Sequence, residues 1–328
     1  MTVMFEKSMN LAVTKEVFLS NKGNKQRFII MLGEELSKKG CTVFHDTGDA
    51  DCLIVKKAME SAAENNVVLV GDDTDLLILL LHQQYEGKHD VFFAPEPKKN
   101  SKARFWDVKD VKESLGSFIC KHILFIHAML GCDSTSRVFG LGKGVLLKKI
   151  RSNLHLQQYA NVFSSRQSTN EDVQKAGEQT MVILYGGKKD DLNFLRHKKF
   201  CEKVASNVAS IEPQTLPPTS AAMKYHSYRV YYQICVWKEW DSEMQPESWG
   251  WRIDEEGFAP VATDLPVAPE NLLKVVRCSC KSGCSNLQCS CRKNNLKCTM
   301  ACTHCTGSDC TNLIDAAVAI NDDTDEEI

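Results

Sequence analysis

The chain has no long apolar run, no signal-like N-terminus and no excess of charge of either sign. Its longest apolar stretch, Leu76 to Leu81, falls far short of the about 20 residues that a helix needs to cross a bilayer. No membrane role is expected. The opening residues, MTVMFEKSMNLAV, mix charges with short apolar pieces and carry neither the core nor the cleavage pattern of a signal peptide, so the expectation is an intracellular protein. A formal charge of −2 argues neither for nor against a nucleic-acid partner, and any basic surface has to be local. There is no internal repeat, and Met1 to Asn24 contains no aspartate.

Cysteine, by contrast, is plentiful and unevenly placed. The chain has 15 cysteines, and nine of them lie between Cys278 and Cys310. In a reducing compartment such residues are thiols or metal ligands rather than disulfides. The set is Cys278, Cys280, Cys284, Cys289, Cys291, Cys298, Cys302, Cys305 and Cys310; its Cys-x-Cys pairs are too close for unstrained disulfides. A tetrahedral zinc takes four ligands, so nine sulfurs serve three structural zinc ions if three thiolates each bridge two metals. His304 is the obvious substitute ligand, but the count closes without it and it is expected on the surface.

At 328 residues the chain has room for two domains, or one large domain with an appendage. Phe28, Met31, Leu32 and Leu36 predict a helix over Gln26 to Lys39, stopped at Gly40. Cys41 to Phe44 reads as a buried strand, about Asp51 to Asn65 as a helix, Val67 to Val70 as a strand, and the residues after Asp75 as another helix. Val91 to Phe93 adds a strand. This alternation predicts a mostly parallel, Rossmann-like sheet with helices on both faces. Helices broken at Gly131 to Gly144 and at Gly186-Gly187 should fill Val108 to about Ser206. Leu216-Pro-Pro-Thr-Ser220 marks a boundary, with Thr219 or Ser220 capping an aromatic helix that reaches Trp240. Four of seven tyrosines and four of five tryptophans lie between Tyr225 and Trp251. They could stack bases, but a small core or a docking face for another domain or protein is the preferred reading. The resulting division is 1–210, a helix and linker at 211–273, the cysteine domain at 274–312, and an acidic, disordered tail at 313–328 holding Asp322, Asp323, Asp325, Glu326 and Glu327.

Three acidic signals lie in the first domain: Asp49-Ala-Asp51, Asp73-Thr-Asp75 and Asp133. Carboxylates at the C-terminal ends of parallel strands converge on one crevice, and hard oxygen ligands so grouped hold Mg²⁺ or Mn²⁺. Two such ions activate water and stabilise a leaving oxygen in phosphodiester hydrolysis. Each acid also has a local explanation. Asp49, Asp72 or Asp73 fits a helix N-cap, and Asp51 and Asp75 meet a helix dipole.

Two resemblances follow from these motifs. The cysteine spacing, with Asn312 two places after the last cysteine, resembles the CXC domain of the tesmin family, which implies a three-zinc core that binds DNA. Gln288 stands where DNA-binding members carry a groove-entering tyrosine. From Lys274 to Asn312 six Lys and Arg face Asp309 alone. That balance of +5 falls to +2 once nine thiolates and three zinc ions are included. Arg292 and Lys293 are the best phosphate or base-edge contacts; some of Arg277, Lys281, Arg292, Lys293 and Lys297 instead offset the anionic metal cluster.

Gly48-Asp-Ala-Asp51, Gly71-Asp-Asp-Thr-Asp75 and Leu130-Gly-Cys-Asp133 through Gly140-Leu-Gly-Lys143 together resemble the PIN/flap-endonuclease family over about Asn24 to Ile150. That resemblance implies catalytic roles for Asp49, Asp51, Asp73, Asp75 and Asp133. It also implies a grip on duplex backbone by Gly140, Gly142 and Lys143, as amide groups at a helix start allow. The family's first metal-binding aspartate precedes this region. The expectation is therefore a truncated form of a longer nuclease, or a domain that lost one ligand and turns over poorly. The pairing of both regions resembles uncharacterised transposon-associated animal proteins. Together they imply a nuclear, nucleic-acid-binding protein of nuclease descent with DNA as the expected partner and RNA not excluded; the alternatives are a non-catalytic chromatin factor or a protein-interaction scaffold.

Overall fold

The computed structural model describes every residue except 1–3, 7, 11, 47–48, 84–86, 97–103, 189–190, 207–210, 255–256, 266–276, 282, 295, 299–301, 307–309 and 313–328. The acidic tail lies outside the described residues. The chain forms two compact units, Met1–Pro260 and Val261–Ile328.

The first unit is a mixed α/β body in which helices predominate. Its strands are β1 (Val67–Val70), β2 (Val91–Ala94), β3 (Trp106–Asp107), β4 (Trp251–Asp254) and β5 (Gly257–Pro260). The helices are α1 (Lys15–Leu19), α2 (Lys22–Lys38), α3 (Ala50–Ala62), α4 (Thr74–His82), α5 (Val108–Leu115), α6 (Ser117–Met129), α7 (Lys143–Ile150), α8 (Leu154–Phe163), α9 (Asn170–Leu184), α10 (Leu192–Ala205) and α11 (Ser220–Trp237).

The β1–β2 pairing is parallel, joined through α4, as the apolar runs predict; β3 then adds two residues antiparallel to β2. The described sheet is thus small and mixed, not mostly parallel. Residues 41–44, expected as a buried strand, are unpaired, and Phe44 is 53% exposed with the Lys57 ammonium 4.7 Å over its ring. An apolar tetrapeptide becomes a strand only where a neighbouring edge accepts its amide and carbonyl groups, and none does so here among the described residues. Val68 and Val70 of β1 also remain exposed.

Local chemistry explains the helix ends. Asn21 starts α2 by accepting from the Asn24 amide, four residues ahead of the predicted start. Its stop is as predicted: Gly40, at φ 86°, lets the Cys41 amide reach Leu36 O at 3.1 Å. Thr219 caps α11, which ends at Trp237 rather than Trp240.

The core lies where α6, α9 and α11 meet α4 and α8. Tyr228, Tyr231 and Trp237 are buried there, so the aromatic helix belongs to the first unit. The domain boundary expected at 210 gives way to one after Pro260, because the aromatic face is absorbed by the helices before it. His226 Nε2 donates to Met129 O at 2.9 Å, pinning α11 to the end of α6. Burial takes its imidazole down to about 4. Helices α9 and α11 approach closely at Gly177, where Ser227 Cβ lies 2.8 Å from the position of an added methyl. Gly177→Ala is therefore expected to cost about 1–3 kcal/mol through overpacking, read as a lower urea midpoint for the first unit at unchanged slope.

Candidate metal centres

Asp49 caps α3, its side chain accepting from the Asp51 amide at 3.0 Å, and Asp73 caps α4 by accepting from the Asp75 amide at 2.9 Å. The local reading of these two acids therefore holds. Each cap places a second acid in the first turn, and Asp133 joins them from the turn after α6. That turn is built on Gly131, at φ 111°, where a Cβ would sit 2.8 Å from Arg137 Cα. Thr135 closes it by donating to Ala128 O at 2.7 Å and accepting from the Cys132 amide at 3.0 Å.

The charges of the other four aspartates reach Asp51. Burial, followed by repulsion from Asp49, Asp73, Asp75 and Asp133, raises the Asp51 carboxyl to about 6. Among the described residues, however, no three carboxylate oxygens come within 4.8 Å of one another as the cysteine sulfurs do. A carboxyl raised in the folded state favours folding when protonated, and that contribution is lost as pH rises from about 4 through about 6. Asp51→Asn is accordingly expected to raise the thermal midpoint of the first unit at pH 7 without added divalent cation. The gain should vanish at pH 4 and shrink when Mn²⁺ is supplied.

The sequence did not single out His127, yet it organises this site. It is buried in α6, and its Nε2 lies 2.6 Å from Asp75 Oδ1, which places the ring proton on Nε2. The Lys143 ammonium lies 2.8 Å from Nδ1 and 3.2 Å from Nε2. Burial holds Lys143 below the ordinary lysine range, against the attraction of Asp75 and Asp73. Lys143, expected on a nucleic-acid surface, thus turns inward from the first residue of α7 toward the acids. Gly140, at φ 74°, and Gly142, the uncapped residue before α7, form the turn that brings it there.

In the second unit the cysteines form the core. Seven of the nine are buried, Cys280 and Cys310 partly so, and no described aliphatic or aromatic side chain joins them. Sulfur separations are 3.7 Å for Cys278–Cys284, 3.9 Å for Cys278–Cys298, 3.8 Å for Cys278–Cys305, 3.9 Å for Cys289–Cys298 and 3.6 Å for Cys291–Cys302. A tetrahedral zinc with sulfur at about 2.3 Å has sulfur–sulfur edges of about 3.8 Å, so the donor set and its spacing suit zinc. Cys278 belongs to three overlapping groups of four sulfurs; Cys284, Cys289 and Cys298 belong to two each. Cysteines from both halves of the motif thus meet. His304 is exposed, as expected, and is in none of these groups.

The backbone around the sulfurs is closed by polar bonds between distant segments. Asn312 is buried, donates to Leu296 O at 2.8 Å and reaches Cys298 Sγ at 3.5 Å. Arg292, in the single helical turn Ser290–Lys293, donates to Cys284 O at 2.9 Å and Thr311 O at 3.1 Å. Its guanidinium is therefore engaged inside the unit, whereas Lys293 is exposed.

No described helix is long and apolar enough to cross a membrane. Neither a protein-family model, nor a curated protein sequence, nor a solved structure matches the chain.

Proposed function

We propose that the chain is a nucleic-acid-binding protein of nuclease descent, with a PIN/flap-endonuclease-like, Rossmann-related first unit and a zinc-dependent DNA-binding second unit. The observation that supports this reading is that Asp49, Asp73, Asp75 and Asp133, from three separate segments, all add to burial in raising the Asp51 carboxyl, although no three of the carboxylates yet close on one point. Such mutual repulsion is relieved by a divalent cation, and an all-oxygen donor set suits Mg²⁺ or Mn²⁺. When bound, such an ion supplies Lewis acidity and an activated water for phosphodiester hydrolysis. His127 orients Asp75, leaving its second oxygen for the ion, and Lys143 lies where it can offset charge on a phosphate.

In the second unit three zinc ions shared among nine thiolates would give the segment its shape. Lys293, Lys281 and Lys297, all exposed, are the phosphate contacts, since Arg292 holds two carbonyls. DNA is the proposed partner and the nucleus the proposed location; RNA is the competing ligand in the same assay. A non-catalytic binding factor is the second reading, favoured by the helix caps that occupy Asp49 and Asp73. Cleavage of flap, hairpin and single-stranded substrates with Mn²⁺ decides between them.

A further inference from the structure

A cavity of about 660 Å³ lies between α3, α4 and the end of α11, walled by Cys52, Val55, Leu79, His82, Trp237 and Trp240. Its volume is within the range of small-molecule sites, about 300–1,000 Å³. Two features distinguish it from a packing defect. The first is its aromatic wall. After α11 the chain reverses through Glu239, a non-glycine residue at φ 55°, with the Glu239 amide on Val236 O at 3.0 Å and the Trp240 amide on Cys235 O at 2.8 Å. This left-handed cap, which favours glycine, returns Trp240 toward Trp237. Strain of this kind is maintained at binding sites more often than elsewhere. Lys56 pairs with Glu239 at 3.2 Å across the rim.

The second feature is one lysine left over once the acids of the wall are paired, Glu60 with Lys57 at 2.6 Å and Glu239 with Lys56. Lys238, between the two tryptophans, holds its ammonium 4.5 Å from the Trp240 ring centroid. Among the described residues it makes no ion pair with a carboxylate. Burial, and then Lys121, lower it; burial, Lys238 and Lys112 likewise lower His82. Lys112 is anchored on Gln83 O at the cavity edge. Cations that repel one another beside an aromatic wall suit a flat, anionic ligand.

We propose that this cavity is a nucleotide site, receiving a nucleobase against Trp240, with the buried Trp237 at its floor, and its phosphate at Lys238. The ligand is either a free mononucleotide or a terminal nucleotide of a single strand. The cavity adjoins the acidic centre: Cys52 follows Asp51, and the Trp237 and His127 ring centroids are 6.0 Å apart. A strand whose end occupied the cavity would run its next phosphodiester past the carboxylates. That last step rests on the hydrolytic reading; the nucleotide site does not.

The test uses the full, zinc-loaded chain without magnesium. Thymidine 5′-monophosphate, thymidine, inorganic phosphate and a 5′-phosphorylated trinucleotide are titrated, followed by tryptophan emission and calorimetry. Saturable quenching by the monophosphate is expected, weaker binding by thymidine or phosphate alone, and tighter binding by the trinucleotide if the natural ligand is a strand end. Lys238→Gln should weaken monophosphate binding at least about tenfold, Lys238→Arg should restore it, and Trp240→Leu should reduce it to that of phosphate. No saturable binding by the wild type at millimolar monophosphate, or equal affinity in a folded Lys238→Gln variant, overturns the proposal. Asp73→Asn should bind the monophosphate normally. Cleavage without nucleotide binding therefore rejects the cavity alone, and nucleotide binding without cleavage rejects the hydrolytic reading alone.

Discussion

Asp73→Asn and Asp75→Asn are each expected to reduce Mn²⁺-dependent cleavage of a flap or single-stranded oligonucleotide by at least about a hundredfold, a loss typical of disturbing a charge-stabilising catalytic group. The two should differ in a second readout. Asp73 caps α4 through its side chain, and asparagine is an equally good cap, so Asp73→Asn should leave the melting temperature nearly unchanged. Asp75 is buried against His127, and its amide replacement leaves His127 and Lys143 without their carboxylate. Weakening a buried hydrogen bond to a charged group costs about 1.5–3 kcal/mol, so Asp75→Asn should also lower the melting temperature by a few degrees. Both variants should weaken Mn²⁺ binding. If both cleave like the wild type, the carboxylates serve only as helix caps and dipole partners; if no substrate is cleaved by the wild type, the binding-factor reading replaces the hydrolytic one.

The second large effect concerns the cysteine unit. Excess chelator added to the full chain is expected to abolish the structure of this unit while leaving the cooperative melting of Met1–Pro260 in place. The reason is the composition of its interior. Its buried cluster consists of Cys278, Cys284, Cys289, Cys291, Cys298, Cys302 and Cys305, without a described aliphatic or aromatic residue among them. Burial pushes the Cys298 thiol, like that of Cys284, well above its ordinary range, whereas at Cys289 burial is outweighed by hydrogen bonds that bring it down to about 7, so a metal-free cluster of thiols contributes little attraction. Metal binding replaces those protons, and for small structural zinc sites it supplies about 10–16 kcal/mol that is also folding energy. Cys278→Ser, which removes a member of all three overlapping sulfur groups, should mimic the chelator; Cys310→Ser, at the partly exposed rim, should do so less completely. Affinity for zinc should fall as pH falls, because protons compete for the same sulfurs. DNA affinity with a steep salt dependence should be lost with the metal if Lys281, Lys293 and Lys297 make the phosphate contacts.

Local signals in the sequence were dependable where the cause was local. The β1 and β2 runs, the glycine stop after α2 and the cap at Thr219 depend on residues within a few positions of one another, and the cysteines, whose sulfurs meet across up to 27 positions, are marked by residue type and density alone. What required distant partners was harder to read. Residues 41–44 have strand-forming composition but no edge to join. The aromatic residues of α11 bury against helices more than forty residues earlier, which moved the boundary from 210 to 260. His127 reaches Asp75 across 52 positions, and nothing in its own helix marks it apart from being an imidazole in an apolar run. Lys143 and Arg292 show the same limit in reverse. The resemblance put Lys143, and its charge put Arg292, on a phosphate-binding surface; instead Lys143 turns toward an imidazole beside the acids and Arg292 onto two carbonyl oxygens.

The cysteine unit is tested most directly by counting metal in the intact, reduced chain, by native mass spectrometry alongside elemental analysis. About three zinc ions per chain are expected, released together on acidification as the nine thiolates take up protons. A folded chain that carries no stoichiometric zinc, or one whose C-terminal cysteines stay protected from alkylation after complete chelation, would contradict it.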